Sequence, residues 1–372
     1  MEDLNSKFAR NGVEMTVDLL LNLASGFNKN IVFSPLSVQT CLALAFAGAE
    51  GETAEEIVKG MKFVSREPSK VAACFRKVLE QYKTSEILKI ANKVYMHNIC
   101  KIKPAYELAL KENYLTETEV VNFAENVRAA QVINSWVEQK TAGKITDLIP
   151  SDCLDDDTRL VLLNAIHFKG DWKSKFDAKR TEEGDFWVNK TESVKVKYMH
   201  QKAKFGFVYF EKLNCTALEM PYSDSELSML VLLPDDREGL QNLAEKLKTM
   251  NLIDLVDKMA TKEVIVKFPQ FKIDFSVELK ETLQKMGVNK MFNDAEFNNI
   301  CSDKICVSKV FHKACIEVNE EGTEAAAATG MVMMLRCAMP LEENYFEADH
   351  PFLYFIWNRK KNVLFAGTFV NC

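Results

Sequence analysis

The stretch that most restricts the fold is Arg159–Phe168, "RLVLLNAIHF". A strand with one face in water alternates apolar and polar residues. One that is apolar at both odd and even positions has to be covered on both faces. The chain must therefore build a sheet layered on each side, and with 372 residues, 47% of them hydrophobic, it has the material. Asn164 is the anomaly within the run, since an amide buried without a partner costs about 1–3 kcal/mol. His312 interrupts a second apolar strand, "KVFHKACIEV", in the same way. Either each is satisfied by a neighbour, or the two satisfy one another at the centre of a sheet. The second arrangement would matter to any process that opens the sheet.

Elsewhere the periodicity changes along the chain. Val13, Val17, Leu20 and Ala24 recur at helical spacing, and Pro35 opens an apolar helix, "PLSVQTCLALAFAGA". Thr53 and Glu56 have the spacing of a capping box for the next helix. Residues 126–145 read as an amphipathic helix ending near Gly143. Strands then dominate. Residues 227–234 form an apolar run, and residues 263–275 alternate on either side of Pro269. Residues 351–370 close the chain as a buried hairpin. Helices first and strands later predict a mixed α+β fold with large sheets. The absence of a linker, repeat or composition break predicts one domain over residues 1–372.

Composition excludes several function classes. A net charge of −6 and a pI near 5.6 give no electrostatic reason to bind nucleic acid or an anionic membrane. The basic run Arg359–Lys361 sits between two apolar segments and reads as a solvated hairpin turn. No window approaches the ~18 apolar residues of a membrane span. The ten cysteines lack metal-ligand spacing; Cys301 and Cys306 have no His or second pair nearby, so neither metal nor cofactor is expected. The polar opening "MEDLNSKFARNG" does not resemble a signal peptide, and scattered thiols suit a reducing compartment, so the cytoplasm is expected. No nucleophile elbow, zinc-helix motif, phosphate loop or dinucleotide fingerprint is present, and nothing marks a Cys/His pair among the five histidines. The chain does not read as an enzyme.

One segment resists these readings. "NEEGTEAAAATGMVMMLRCAMPLEEN", Asn319–Asn344, begins acidic, runs through four alanines and continues into an apolar stretch broken by Arg336 and Cys337. Its alanines favour helix, but the run closed by Gly322 and Gly330 is too short to be stable alone.

Taken with other motifs, the segment carries a resemblance. "NIVFSPLSVQTCLALAFAGAEGET" from Asn30, "LVLLNAIHFKGDW" ending at Trp172, "FPQFKID" from Phe268, "VNEEGTEAAAAT" from Val318, and "FEADHPFLYFIW" with "VLFAGTF" resemble the serpins over essentially the whole length. The resemblance implies three β-sheets, about nine helices and an exposed reactive-centre loop that baits a protease. It implies a shutter of polar residues beneath the central sheet (Ser34, Ser37, Asn164, His312) and a breach at Trp172, where the loop first enters. The hinge would be Glu320, Gly322, Thr323, Glu324, Ala325, Ala326, Ala327, Ala328 and Thr329. The family's seventeen-residue count from Glu320 falls on Arg336, so the implied reactive bond is Arg336–Cys337. The branch most resembled is the intracellular, ovalbumin-like one.

The family mechanism explains the composition of the segment. After cleavage the loop inserts as a central strand, trapping the acyl-linked protease. Thr323, Ala325, Ala327, Thr329, Met331 and Met333 share the inserting face, and none is charged. Residues 320–336 give 16 steps, or about 50 Å as a strand at ~3.3 Å each. That nearly spans a chain of this size, roughly 55 Å across. Arg336 implies a trypsin-like serine protease as the covalent partner, with the inhibitor a monomer. A frame shifted to Leu335 or Met334 would imply chymotrypsin-like or cysteine proteases. A non-inhibitory storage, chaperone-like or binding role is the other alternative, and export by a leaderless route the alternative to a cytoplasmic site.

Overall fold

A computed structural model describes residues 4–223, 226–320 and 343–371. In chain order the elements are α1 (Leu4–Leu23), β1 (Ile31–Phe33), α2 (Pro35–Gly48), α3 (Gly51–Gly60) and α4 (Pro68–Tyr82). These are followed by β2 (Leu88–His97), α5 (Pro104–Tyr114), β3 (Thr118–Val121), α6 (Asn126–Lys140) and β4 (Leu160–Phe168). Next come β5 (Glu182–Trp187), β6 (Ser193–Phe210), β7 (Cys215–Pro221), β8 (Leu227–Pro234), α7 (Leu240–Leu247) and α8 (Leu252–Val256). The last are β9 (Ala260–Pro269), β10 (Phe271–Glu278), α9 (Lys280–Lys285), β11 (Val307–Val318), β12 (Asn344–Glu347), β13 (Phe352–Asn358) and β14 (Val363–Phe369).

A five-stranded sheet runs β10-β11-β4-β2-β3, and a nine-stranded one runs β1-β14-β13-β8-β7-β6-β9-β12 with β5 on β6. The 18-residue β6 joins two limbs of the larger sheet, pairing with β5 through Ser193–Tyr198 and with β7 through Gly206–Phe210. These limbs and the five-stranded sheet account for the three sheets expected. Nine α-helices lie among the described residues.

The double-sided burial of β4 has a direct cause. Leu160, Leu162, Ile166 and Phe168 enter the main core, while Val161, Leu163 and Ala165 enter a second core under α6 with Ile133 and Val137. On the main-core side lies α2, wedged between β2 and β4 of one sheet and β14 of the other. Every residue of α2 except Ala47 is buried, so the helix shows no amphipathic face.

Helices α1–α5 dominate the first third as the periodicity predicts, with β1, β2 and β3 set among them. Two sequence expectations need correction. The run 263–275 is two strands: β9 belongs to the nine-stranded sheet and β10 to the five-stranded one, with the switch at Pro269–Gln270. Proline supplies no ladder donor, which suits it to the break. Thr53 and Glu56 do not form a capping box. Helix α3 starts at Gly51, and the Glu296 carboxylate from a distant loop accepts the Glu52 and Thr53 N–H groups at 2.7 and 3.4 Å. Thr53 Oγ1 accepts the Glu296 N–H in return at 3.0 Å, and the Glu56 carboxylate receives the N–H groups of Asn289 and Lys290. The reciprocal cap exists, but its glutamate comes from elsewhere in the chain.

Candidate functional site

The border between β4 and β11 is where the anomalous polar residues meet. The two strands are parallel, with His312 opposite Asn164, and β2 places Asn92 opposite Asn164 on its other side. Side chains of these residues point toward α2, on the face shared with Leu162 and Ile166. His312 Nδ1 lies 2.5 Å from Asn164 Oδ1, and Asn164 Nδ2 donates to Asn92 Oδ1. Below them the Ser34 backbone N–H donates to His312 Nε2 at 3.1 Å. A nitrogen that accepts from an N–H carries no proton, so the Nδ1–H tautomer is the one that donates to Asn164. The imidazole is fully buried, and burial pushes its pKa down to about 3 from 6.5.

The chain Ser34–His312–Asn164–Asn92 thus crosses three adjacent strands and ends at a helix N-terminus. Ser34 caps α2, its hydroxyl accepting the Ser37 N–H at 3.2 Å. Ser37 itself does not join the chain: its buried hydroxyl has no hydrogen-bond partner among the described residues. Asn92 was missed from sequence. Strand β2, "LKIANKVYMH", also carries Lys89 and Lys93, so a polar residue does not stand out there as Asn164 does in β4.

The far end of β11 carries the second expected feature. Trp172 is 2% exposed, stacks on Tyr222 with ring centroids 4.4 Å apart, and donates from Nε1 to the Asn319 carbonyl at 3.0 Å. The next residue, Glu320, accepts hydrogen bonds from Thr181 Oγ1 and Gln270 Nε2. Glu317 pairs with Lys169 across the strand border at 3.4 Å. The chain leaving β11 is therefore held by Trp172, Thr181 and Gln270 at the point where the expected hinge begins. Gly322, Thr323, Glu324, Ala325, Ala326, Ala327, Ala328, Thr329, Arg336 and Cys337 lie outside the described residues.

A parallel pair with a polar lock at its centre and an anchored exit strand defines a class. Residues 11–372 match the family model described as "Serpin (serine protease inhibitor)", and the chain belongs to the serpin family. "Serine protease inhibitor 42Dd" of Drosophila melanogaster is 38% identical over 350 residues, 92% of each chain. "Leukocyte elastase inhibitor" of Homo sapiens is 38% identical over 383 residues, 99% of each. Among solved structures, "Cleaved Serpin 42Da" superposes with a TM-score of 0.90 at 38% identity, covering 100% of both chains.

Proposed function

We propose that this serpin inhibits trypsin-like serine proteases as a suicide substrate in the cytoplasm, acting as one domain over residues 1–372. The protease's serine attacks the Arg336 carbonyl, the Arg336–Cys337 bond breaks, and the acyl-linked protease is trapped when the loop enters between β4 and β11. The carrying observation is the parallel pairing of β4 with β11, and β11 ends at Val318, two residues before the proposed hinge begins at Glu320. A loop folding back from the end of β11 arrives antiparallel to both neighbours. It would replace one slanted parallel ladder by two antiparallel ones, the more stable pairing per residue. The uncharged inserting face from Thr323 to Met333 suits burial between the two cores.

Arg336 supplies the specificity, since a guanidinium fits an acidic specificity pocket through charge-assisted bonds. The single-domain reading is supported by a main core that draws on residues from Phe8 to Val370. The compartment is supported by the cysteines, since Cys41, Cys100, Cys153, Cys215, Cys301, Cys306 and Cys315 are all unbridged thiols. The test is a gel. Mixed with trypsin, the protein should give a complex that survives boiling in detergent. Arg336→Ala should abolish it, and a variant trapping trypsin at the parent rate would move the bait elsewhere.

A further inference from the structure

Cys301 has no histidine or cysteine pair at metal-ligand spacing in sequence, but the fold brings it a second thiol from 201 positions away. The Cys100 and Cys301 sulfurs and a carboxylate oxygen of Asp303 all lie within 4.8 Å of one another. Backbone pairing holds them there. Ile102 forms an antiparallel bridge with Cys301, and the Lys103 N–H donates to the Ile300 carbonyl at 2.8 Å. Cys100 is 6% exposed and Cys301 fully buried, whereas Asp303 is open to solvent, so the cluster has a dry floor and a wet entrance.

We propose that Cys100, Cys301 and Asp303 bind Zn(II), with water as the fourth ligand, tying the connection after β2 to the segment before β11. Two thiolates with one carboxylate form a soft, small set suited to a tetrahedral d10 cation. Zinc–sulfur bonds of about 2.3 Å at the tetrahedral angle put two sulfurs about 3.8 Å apart, so small side-chain rotations suffice. Without a cation the arrangement is unfavourable to thiolate. Burial chiefly, then the neighbouring Cys301 and the Asp303 charge, push Cys100 up to about 11. Burial also raises Cys301. Binding takes up one Zn(II) and releases two thiol protons. The three anionic ligands carry −3, which the cation reduces to −1.

The experiment uses the full reduced chain under argon, with Co(II) as the spectroscopic probe and Zn(II) to displace it. One equivalent should bind with a thiolate-to-cobalt charge-transfer band. Release of two protons should make the apparent affinity rise about 100-fold per pH unit while both thiols are protonated in the free protein. Cys100→Ser and Cys301→Ser should each lose the band, and Cys153→Ser, Cys306→Ser and Cys337→Ser should keep it. Asp303→Asn leaves both buried thiols in place, so it tests the site without disturbing the core. It should weaken binding at least tenfold, and Zn(II) should raise the melting temperature of the parent but not of Cys100→Ser. The proposal is overturned if the reduced chain takes up no cobalt at micromolar concentrations, if the band persists without both Cys100 and Cys301, or if Asp303→Asn binds as tightly as the parent. None of these readouts involves protease inhibition, so the site stands or falls apart from the proposed function.

Discussion

His312→Ala is the substitution whose consequences the structure fixes most fully. The imidazole serves two buried partners, accepting the Ser34 N–H at 3.1 Å and meeting Asn164 Oδ1 at 2.5 Å. Truncation leaves both without it. Each orphaned group costs about 1–3 kcal/mol, and removing a buried ring adds a cavity cost, for a total of about 3–6 kcal/mol. Against a typical stability of about 5–15 kcal/mol, that loss should be plain in a denaturant midpoint at neutral pH. A second, sharper consequence is the pH dependence. The unfolded chain binds a proton at His312 near 6.5, while the folded chain does so only near 3. Between those values the unfolded state holds more protons, so stability is fully present above the upper value and falls on acidification. The slope is about 1.4 kcal/mol per unit, or about 2 kcal/mol between roughly pH 6.5 and pH 5. His167, pushed down to about 4 chiefly by its burial, adds a similar slope, so the informative quantity is the difference between parent and variant. His312→Ala should flatten the curve by one proton. Equal slopes between about pH 4 and pH 6 would show that the folded His312 titrates normally and that the inferred tautomer chain is wrong.

The remaining expectations can be checked with single substitutions. Under the proposed mechanism, Thr323→Arg should be cleaved as a substrate rather than trap the protease, because an unpaired buried charge costs several kcal/mol during insertion and each ~1.4 kcal/mol shifts the race about tenfold towards hydrolysis. The ratio of cleaved chain to stable complex reads this, and one-for-one trapping would refute burial of that face. Trp172→Phe preserves a ring over Tyr222 but removes the donor to the Asn319 carbonyl. Amide exchange at the end of β11 should quicken by the equivalent of about 1 kcal/mol, and unchanged protection would show that the bond does not anchor the exit. In Gly367→Ala the new methyl would meet the Ile31 carbonyl at 2.2 Å and the Tyr354 hydroxyl at 2.5 Å. Forcing β1 off β14 should cost about 1–3 kcal/mol or more, measured by thermal melting. A variant as stable as the parent would mean that the β1–β14 pair yields without strain.

Much of the molecule was legible because its signals are local. The run of β4, apolar at both odd and even positions, required two covered faces, and α6 on one side with α2 on the other cover them. Pro35 behind Ser34 marked a helix start, and Ser34 caps it. Asn164 and His312 were conspicuous because a polar group in an apolar strand needs a partner, and they became each other's partner.

What the tertiary structure decided is which distant residues meet. No periodicity shows that Asn92 completes the polar chain, since its place depends on β2 pairing with β4 in one register. The Thr53–Glu56 spacing satisfied a local rule, but the stronger reciprocal partner was Glu296, delivered by packing of a later loop on α3. Pro269 divides two strands of different sheets, which alternation along the chain cannot distinguish from one continuous strand. Cys100 and Cys301 stand 201 positions apart in sequence and come together only because the segment after β2 bridges the segment before β11. Period and propensity act over a few residues, and they set the elements. Contacts between residues hundreds of positions apart are set by sheet register and by the order in which strands lie side by side, and those are properties of the assembled core alone.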